Sequence, residues 1–307
     1  MADDVLFGVA GWSYADWKGV VYPRGCKDTL RAVAERVSMV EINSTFYAVP
    51  SAKNCSSWVQ RTEDLGTQFT AKLPQDFTHR QQFDAALIDA VIEGFAPLAQ
   101  SGRLIGLLAQ FNHQLQHNQA AVDLIRRLSD AFSDTASLFV EVRHKSWNAA
   151  QGLATLAAHG VGVLELDYPG MVGGFSRDTT GVHADGVAYF RLHGRNRSWF
   201  RPGAGRDEVY DWRYSPDEVQ QLWNRLQRIR DTATRTIVVA NNHFHGKARR
   251  PAKRRKSHVL ESVALVRPVS PMGFCRCLAG ATLWPCGAPE AVGGTRRTDQ
   301  IVGTAVA

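Results

Sequence analysis

The chain has no run approaching the roughly 18 consecutive apolar residues that a membrane span requires. Its start, Met1-Ala2-Asp3-Asp4-Val5, carries acid where an export signal carries base and then an apolar stretch. No membrane partner and no export are expected. Cysteine is scarce: Cys26, Cys55, Cys275, Cys277 and Cys286 are the five in 307 residues, an odd set too sparse for a disulfide framework. A cytoplasmic location is therefore expected. The last three lack the paired spacing of a zinc knuckle. Also missing are a Gly-x-Gly-x-x-Gly turn after the first apolar run, a Gly-rich phosphate loop ending in Lys-Ser/Thr and a Gly-x-Ser-x-Gly elbow. Dinucleotide-fold, P-loop and serine-hydrolase readings lose their main support.

What is present suits a globular α/β protein, with 44% hydrophobic and 21% charged residues. The net charge of +7 suggests a nucleic-acid partner until it is located. Residues 1–247 hold 26 basic and 26 acidic side chains, whereas 248–307 hold 10 and 3. The excess lies wholly in the tail, which opens Arg249-Arg250-Pro251-Ala252-Lys253-Arg254-Arg255-Lys256 and then loses sustained periodicity. Two regions follow: a folded body over 1–248 and a basic, Pro/Gly/Cys-containing tail over 249–307, expected to be poorly ordered.

Apolar, β-branched runs recur at Val5 to Ala10, Met39 to Ile42, Gln68 to Leu73, Leu104 to Gln110, Ser137 to Val142, Gly162 to Leu166, Val187 to Leu192 and Arg235 to Ala240. Near-continuous runs of this kind are strands buried on both faces. Helical stripes separate many of them: Leu87, Ile88, Val91, Ile92 and Phe95; Val122, Ile125, Leu128 and Phe132; and a helix opening Ser215-Pro216-Asp217-Glu218 with a cap, a first-turn Pro and a capping-box Glu. Residues 168–186 are Gly-rich and show no good helix. The fold class is α/β, a (β/α)8 TIM-type barrel, irregular or incomplete at its C-terminal helix; an open doubly wound sheet is the competing architecture.

In such folds ligands sit at the carboxyl ends of the strands. The runs lead in turn into Trp12 and Tyr14, Glu41 and Asn43, Lys72, Gln110 and Asn112, Glu141 and Arg143, Glu165 and Asp167, Arg191, His193 and Arg195, and Asn241 and His243. Five ends alternate polar, apolar, polar, so both polar groups of each are expected to face the same way. One reading is a plug of ion pairs, with Glu41, Glu141 and Asp167 neutralising Lys72, Arg143 and Arg191. The other is a functional ring.

The blocks Gly11-Trp12-Ser13-Tyr14, Val40-Glu41-Ile42-Asn43-Ser44-Thr45-Phe46-Tyr47, Glu141-Val142-Arg143-His144-Lys145-Ser146-Trp147, Arg191-Leu192-His193-Gly194-Arg195-Asn196 and Asn241-Asn242-His243-Phe244-His245-Gly246 resemble the YecE-like family, also known as domain of unknown function 72. The resemblance covers roughly 5–248 and implies a TIM-type barrel, with structural likeness to endonuclease IV and sugar isomerase barrels. After Lys247 the chain departs from the closing helix that the resemblance implies, as a shifted reading frame or a replaced terminus would make it do.

The expected ligand is an anionic small molecule or nucleotide, held by Lys72, Arg143, Arg191, Arg195, Asn43, Asn241 and His243, with Trp12 and Tyr14 as stacking groups. Glu41, Glu141, Asp167 and His193 are the candidate catalytic residues, in a hydrolase or a lyase/isomerase. No cofactor is expected. Lys72 also stands where a barrel lysine could form a Schiff base, but a lowered pKa is not legible in sequence. One alternative is a divalent-metal phosphodiester hydrolase using Glu41, Glu141, His144, Asp167, His193 and His243. Another is a non-catalytic nucleic-acid-binding protein using the segment Arg195 to Arg201.

Overall fold

The structure is a computed structural model that describes residues 5–170, 173–178 and 180–242. The tail 249–307, the closing helix and His243 lie outside the described residues. The apolar runs form β1 (Val5–Ala10), β2 (Met39–Ile42), β3 (Gln68–Lys72), β4 (Leu104–Gln110), β5 (Leu138–Glu141), β6 (Gly162–Val163), β7 (Glu165–Asp167), β8 (Val187–Leu192) and β9 (Arg235–Ala240). They lie in the order β6-β5-β4-β3-β2-β1-β9-β8-β7, and every pairing is parallel.

The two ends of that order, β6 and β7, are halves of the single sixth strand expected from sequence, parted only by Leu164. The first half pairs with β5 and the second with β8, so one strand bridges the two edges. The architecture is a nearly closed TIM-type barrel. Around it lie α1 (Thr29–Ala34), α2 (Ala52–Arg61), α3 (Ala85–Gln100), α4 (Gln119–Phe132), α5 (Ala150–Ala158), the single turn α6 (Arg206–Val209) and α7 (Pro216–Arg230). The capping box of α7 forms as its sequence dictates: Glu218 N donates to the Ser215 hydroxyl, and Ser215 N donates to the Glu218 carboxylate. The stripe Val122, Ile125, Leu128 and Phe132 is wholly buried against the barrel.

Register fixes which side chains point inward. Partners across a parallel ladder share a face, so the pairs Ala10 with Glu41, Glu41 with Thr70, Gln110 with Glu141, Phe139 with Gly162, Leu166 with Arg191, and Arg191 with Val239 trace one continuous interior. Gly106 and Gly162 make room for Phe139 there: a Cβ on either would meet its ring at 2.7 or 2.6 Å. Phe139 in turn packs edge-on against Tyr189, with centroids 5.4 Å apart. The lower barrel is thus filled by large side chains.

Candidate functional site at the barrel mouth

The site is built on what Phe139 supports. The Tyr189 hydroxyl donates to Glu41 Oε2 at 2.6 Å and lies 2.8 Å from the Thr70 hydroxyl. Glu41 Oε1 accepts from Arg191 Nη2 at 2.7 Å. Arg191 Nη1 donates to Gln110 at 3.0 Å and makes an ion pair with Glu141 Oε2. Arg143 closes the chain by donating to Glu141 Oε1 from Nε at 2.9 Å and from Nη2 at 2.5 Å. Glu41, Glu141 and Arg191 are fully buried, whereas the Arg143 side chain is 23% exposed. The plug reading therefore holds for four of the charges.

That ladder sets the protonation of its members. Burial raises the proton affinity of Glu141, but the adjacent Arg143 and Arg191 charges outweigh it and hold the carboxyl well below its ordinary range. His193, at 1% exposure, places Nε2 3.4 Å from Glu141 Oε2 and Nδ1 3.0 Å from Asn241 Nδ2. With the Asn241 amide donating to Nδ1, the ring proton sits on Nε2 and faces Glu141. Burial, aided by the Arg191 and Arg143 charges, lowers His193 to about 4. It is a neutral imidazole at neutral pH.

Lys72 is the fifth charge, and no carboxylate is left for it. Its side chain extends from the end of β3 on the same face as Thr70, and Nζ lies 5.2 Å from the centre of the Phe46 ring. Among the described residues Nζ has no hydrogen bond and no ion pair. Burial lowers its pKa first and the Arg191 charge second, against the opposing pull of Glu41 and Glu141, to about 7. The turn Ser44–Phe46 that carries Phe46 is tied to the end of β3 by the Thr45 hydroxyl, which donates to the Lys72 carbonyl at 2.6 Å. Beside it Asn43 Oδ1 is buried without a hydrogen-bond partner among the described residues.

Residues not singled out from sequence complete the rim. His79, on the wide helical turn Asp76–Arg80 after β3, packs its ring 4.9 Å from Phe46. Burial and then the Lys72 charge lower its pKa. A cavity of about 280 Å³ beside His79 is lined by Gln81, Asn112, Gln114 and the start of α4, and includes neither Lys72 nor the ladder. The turn Arg197–Phe200 is capped by Asn196, which accepts from Ser198 N and donates to the Glu208 and Asp211 carbonyls. It sets Trp199 5.2 Å from the Arg143 guanidinium and 5.5 Å from the His193 ring, and Tyr210 packs against Trp199. In the nucleic-acid reading Trp199 is one residue of the segment Arg195 to Arg201; here its ring packs against Arg143 and His193. Tyr189 lies inside β8, where alternation predicts an inward face but not a polar partner, and Gln110, named from sequence at the end of its run, finds its partner Arg191 across the barrel.

Four expectations are corrected. Asp167 and Glu165 do not join the ring: Leu166 shares the interior with Arg191, so both carboxylates face the helical layer. Asp167 accepts from Arg195 at 2.8 and 3.1 Å and from the Tyr214 hydroxyl at 2.8 Å, and Glu165 accepts from Arg225 of α7 at 2.8 Å. Arg195 likewise leaves the mouth, because Gly194 at φ +83° turns the chain after His193. A Cβ at Gly194 would also meet Trp212 at 2.5 Å. Tyr14 spends its hydroxyl on the Ala10 carbonyl at 2.6 Å, and Trp12 packs edge-on to Trp58 at 5.3 Å. Arg191, expected to hold a ligand, has both terminal nitrogens engaged below the mouth.

The carboxylates at the mouth do not suit a metal, since their oxygens accept from guanidinium groups and Tyr189. Among the described residues no group of three or more His, Cys, Asp or Glu side chains could hold a metal ion, and no helix is long and apolar enough to cross a membrane.

The model of the family described as "Protein of unknown function DUF72" matches residues 6–272, further than the motif blocks reach. The UPF0759 protein YunF of Bacillus subtilis is 26% identical over 260 residues, covering 80% of this chain and 90% of that protein. A solved DUF72 family protein of Thermotoga maritima is similar with a TM-score of 0.70 at 28% identity, over 85% of this chain and 97% of that one. Another, from Enterococcus faecalis, gives 0.71 at 20% identity over 85% and 94%, a likeness of fold alone.

Proposed function

Because this chain belongs to the DUF72 family, whose TIM-type barrel opens at the strand ends, we propose that its mouth binds a small anion-bearing molecule, with the phosphate or carboxylate group seated on Lys72 and Arg143. The charge balance carries this reading. Glu41 and Glu141 are matched one for one by Arg191 and Arg143, and Lys72 remains over. A half-buried ammonium without a counterion is costly, and an incoming anion supplies one. Arg143 is the exposed end of the ladder and presents donors toward the same space, with Trp199 as an aromatic wall and Asn43 as a free acceptor for a ligand hydroxyl or amide. In this reading Glu41 and Glu141 hold cations in place rather than exchange protons, and proton transfer falls to Lys72. The second sequence reading, a metal-dependent hydrolase, lacks a donor set with free oxygens, and the nucleic-acid reading loses Trp199, which faces inward, and keeps only the exposed Phe200 as an aromatic on its segment.

The reading has a sign in pH. Lys72 is protonated below about 7, so anion binding is strong below that value and weakens as pH rises through it. Inorganic phosphate, matched for ionic strength with chloride, is expected to raise the melting temperature of the full chain at about pH 6, and to do so less at about pH 8.5. Arg143→Gln removes most of the shift. No phosphate-dependent shift at either pH, or an equal shift in the Arg143 variant, would overturn the proposal.

A further inference from the structure

The anion site rests on charge, but the same arrangement leaves Lys72 with a second property. An amine becomes a nucleophile when it is unprotonated, reachable and not tied to an acceptor. The carboxylates within the barrel that could hold it as an ammonium are already engaged: Glu41 accepts from Arg191 and Tyr189, and Glu141 accepts from Arg143 and Arg191. Phe46 covers one side of Nζ with an apolar ring, and the like charges of Arg191 and Arg143 oppose its protonation. Gln110 and Thr70, the neutral polar groups on the neighbouring interior positions, are spent on Arg191 and Tyr189. Asn43 Oδ1, on the residue before the turn that carries Phe46, is unpartnered among the described residues, and the Arg143 guanidinium is partly exposed.

We propose that Lys72 is an imine-forming amine, and that the ligand of this mouth is an anionic carbonyl compound, its anionic group on Arg143 and its carbonyl carbon at Nζ. The inference rests on the anion reading above and names the substrate class. The Nζ lone pair forms the C–N bond while the carbonyl π pair moves to oxygen. One amine proton passes to that oxygen to give a carbinolamine. Loss of the hydroxyl with the remaining nitrogen proton, as water, leaves the neutral imine; protonation of its nitrogen makes the electron sink for bond cleavage or isomerisation at the adjacent carbon. No redox partner is needed. Forming the imine also removes the unpaired ammonium, and protonating it places a cation next to the ligand's own anion.

Glyoxylate is the probe, with cyanoborohydride reducing any imine to a stable secondary amine, and the modified lysines of the full chain are mapped by peptide mass spectrometry. Lys72 is expected to be modified at least about tenfold faster than the exposed Lys53 and Lys27 of the same molecules at neutral pH, because its own amine, lowered to about 7, is in large part unprotonated there. That internal comparison needs no variant to fold. Acetaldehyde, which has no anionic group, is expected to show a much smaller preference, and Arg143→Gln to lower the preference for glyoxylate toward that of acetaldehyde. If phosphate stabilises the protein but Lys72 reacts no faster than Lys53, the imine proposal falls and the anion site stands. If Lys72 reacts fast with both aldehydes alike, the anionic ligand class falls.

Discussion

Two clusters of nearly identical composition lie on opposite sides of the barrel wall. Outside, between β7 and α7, Glu165 and Asp167 meet Arg225 and Arg195, with Tyr214 as a neutral donor. Inside, at the mouth, Glu41 and Glu141 meet Arg191 and Arg143, with Tyr189 in the corresponding part, and Lys72 is added. The outer set has no cation in excess, since Glu218 of α7 also lies 3.6 Å from Arg195, and its carboxylates accept further bonds from Thr180 and Tyr214, so it works as a clamp of helix to sheet. The inner set is one cation in excess. Residue type does not separate structural charge from functional charge here; the balance of signs does.

The largest effect is expected where the inner set would lose its centre. Arg191→Met leaves Glu41 and Glu141 facing each other's space with only Arg143 for both, and breaking a buried network in this way costs about 3–5 kcal/mol. Denaturant unfolding should find the variant destabilised by that order or insoluble. A soluble protein within about 1 kcal/mol of the parent would show that the inner set is not a network, and the comparison would collapse.

The surplus cation predicts the opposite sign. The folded state holds Lys72 near 7, while an unfolded lysine titrates near 10.4. Between those values the unfolded chain binds more protons, so stability due to this group is present above the unfolded value and is lost as pH falls toward 7. Lys72→Met removes that penalty. It is expected to stabilise the protein by roughly 1–2 kcal/mol at about pH 6 and to have little effect above about pH 10.5, as read from melting temperatures across pH. A destabilised variant at low pH would mean that Lys72 has a counterion after all.

The barrel was legible because its signal is repeated. Eight apolar runs mark the strands within a residue or so at each end, and the cap of α7 is spelled out by Ser215, Pro216 and Glu218. The mouth was legible in part: Glu41, Glu141, Arg143, Arg191, His193 and Asn241 meet in one interior, and Lys72 extends on the same strand face as Thr70. Asp167 was misplaced for a physical reason. Polar-apolar-polar alternation says that two residues share a face, not which face, and Leu166 rather than its neighbours continues the interior ladder. Gly194 hid the second turn outward, since Arg195 follows His193 by two residues yet leaves the strand. Tyr189 and Gln110 needed knowledge of what lies across the barrel, 148 and 81 residues away in sequence, which no local pattern contains.

The mildest change tests the outer cluster alone. Tyr214 is 3% exposed; its hydroxyl donates to Asp167 Oδ2 at 2.8 Å and accepts from Gly194 N at 3.0 Å. Tyr214→Phe keeps the ring and removes both bonds, but Asp167 retains the Arg195 fork and remains paired. The expected cost is the one left by an unmet buried amide, about 1–2 kcal/mol, with the phosphate-dependent shift of the mouth unchanged. The two readouts must separate: Gly194 is the pivot between His193 inside and Arg195 outside, so a loss of phosphate response in this variant would mean that the clamp also positions the mouth. The two sides of the barrel wall would then be one device, with the outer pairs setting the reach of His193 and the inner pairs setting its charge.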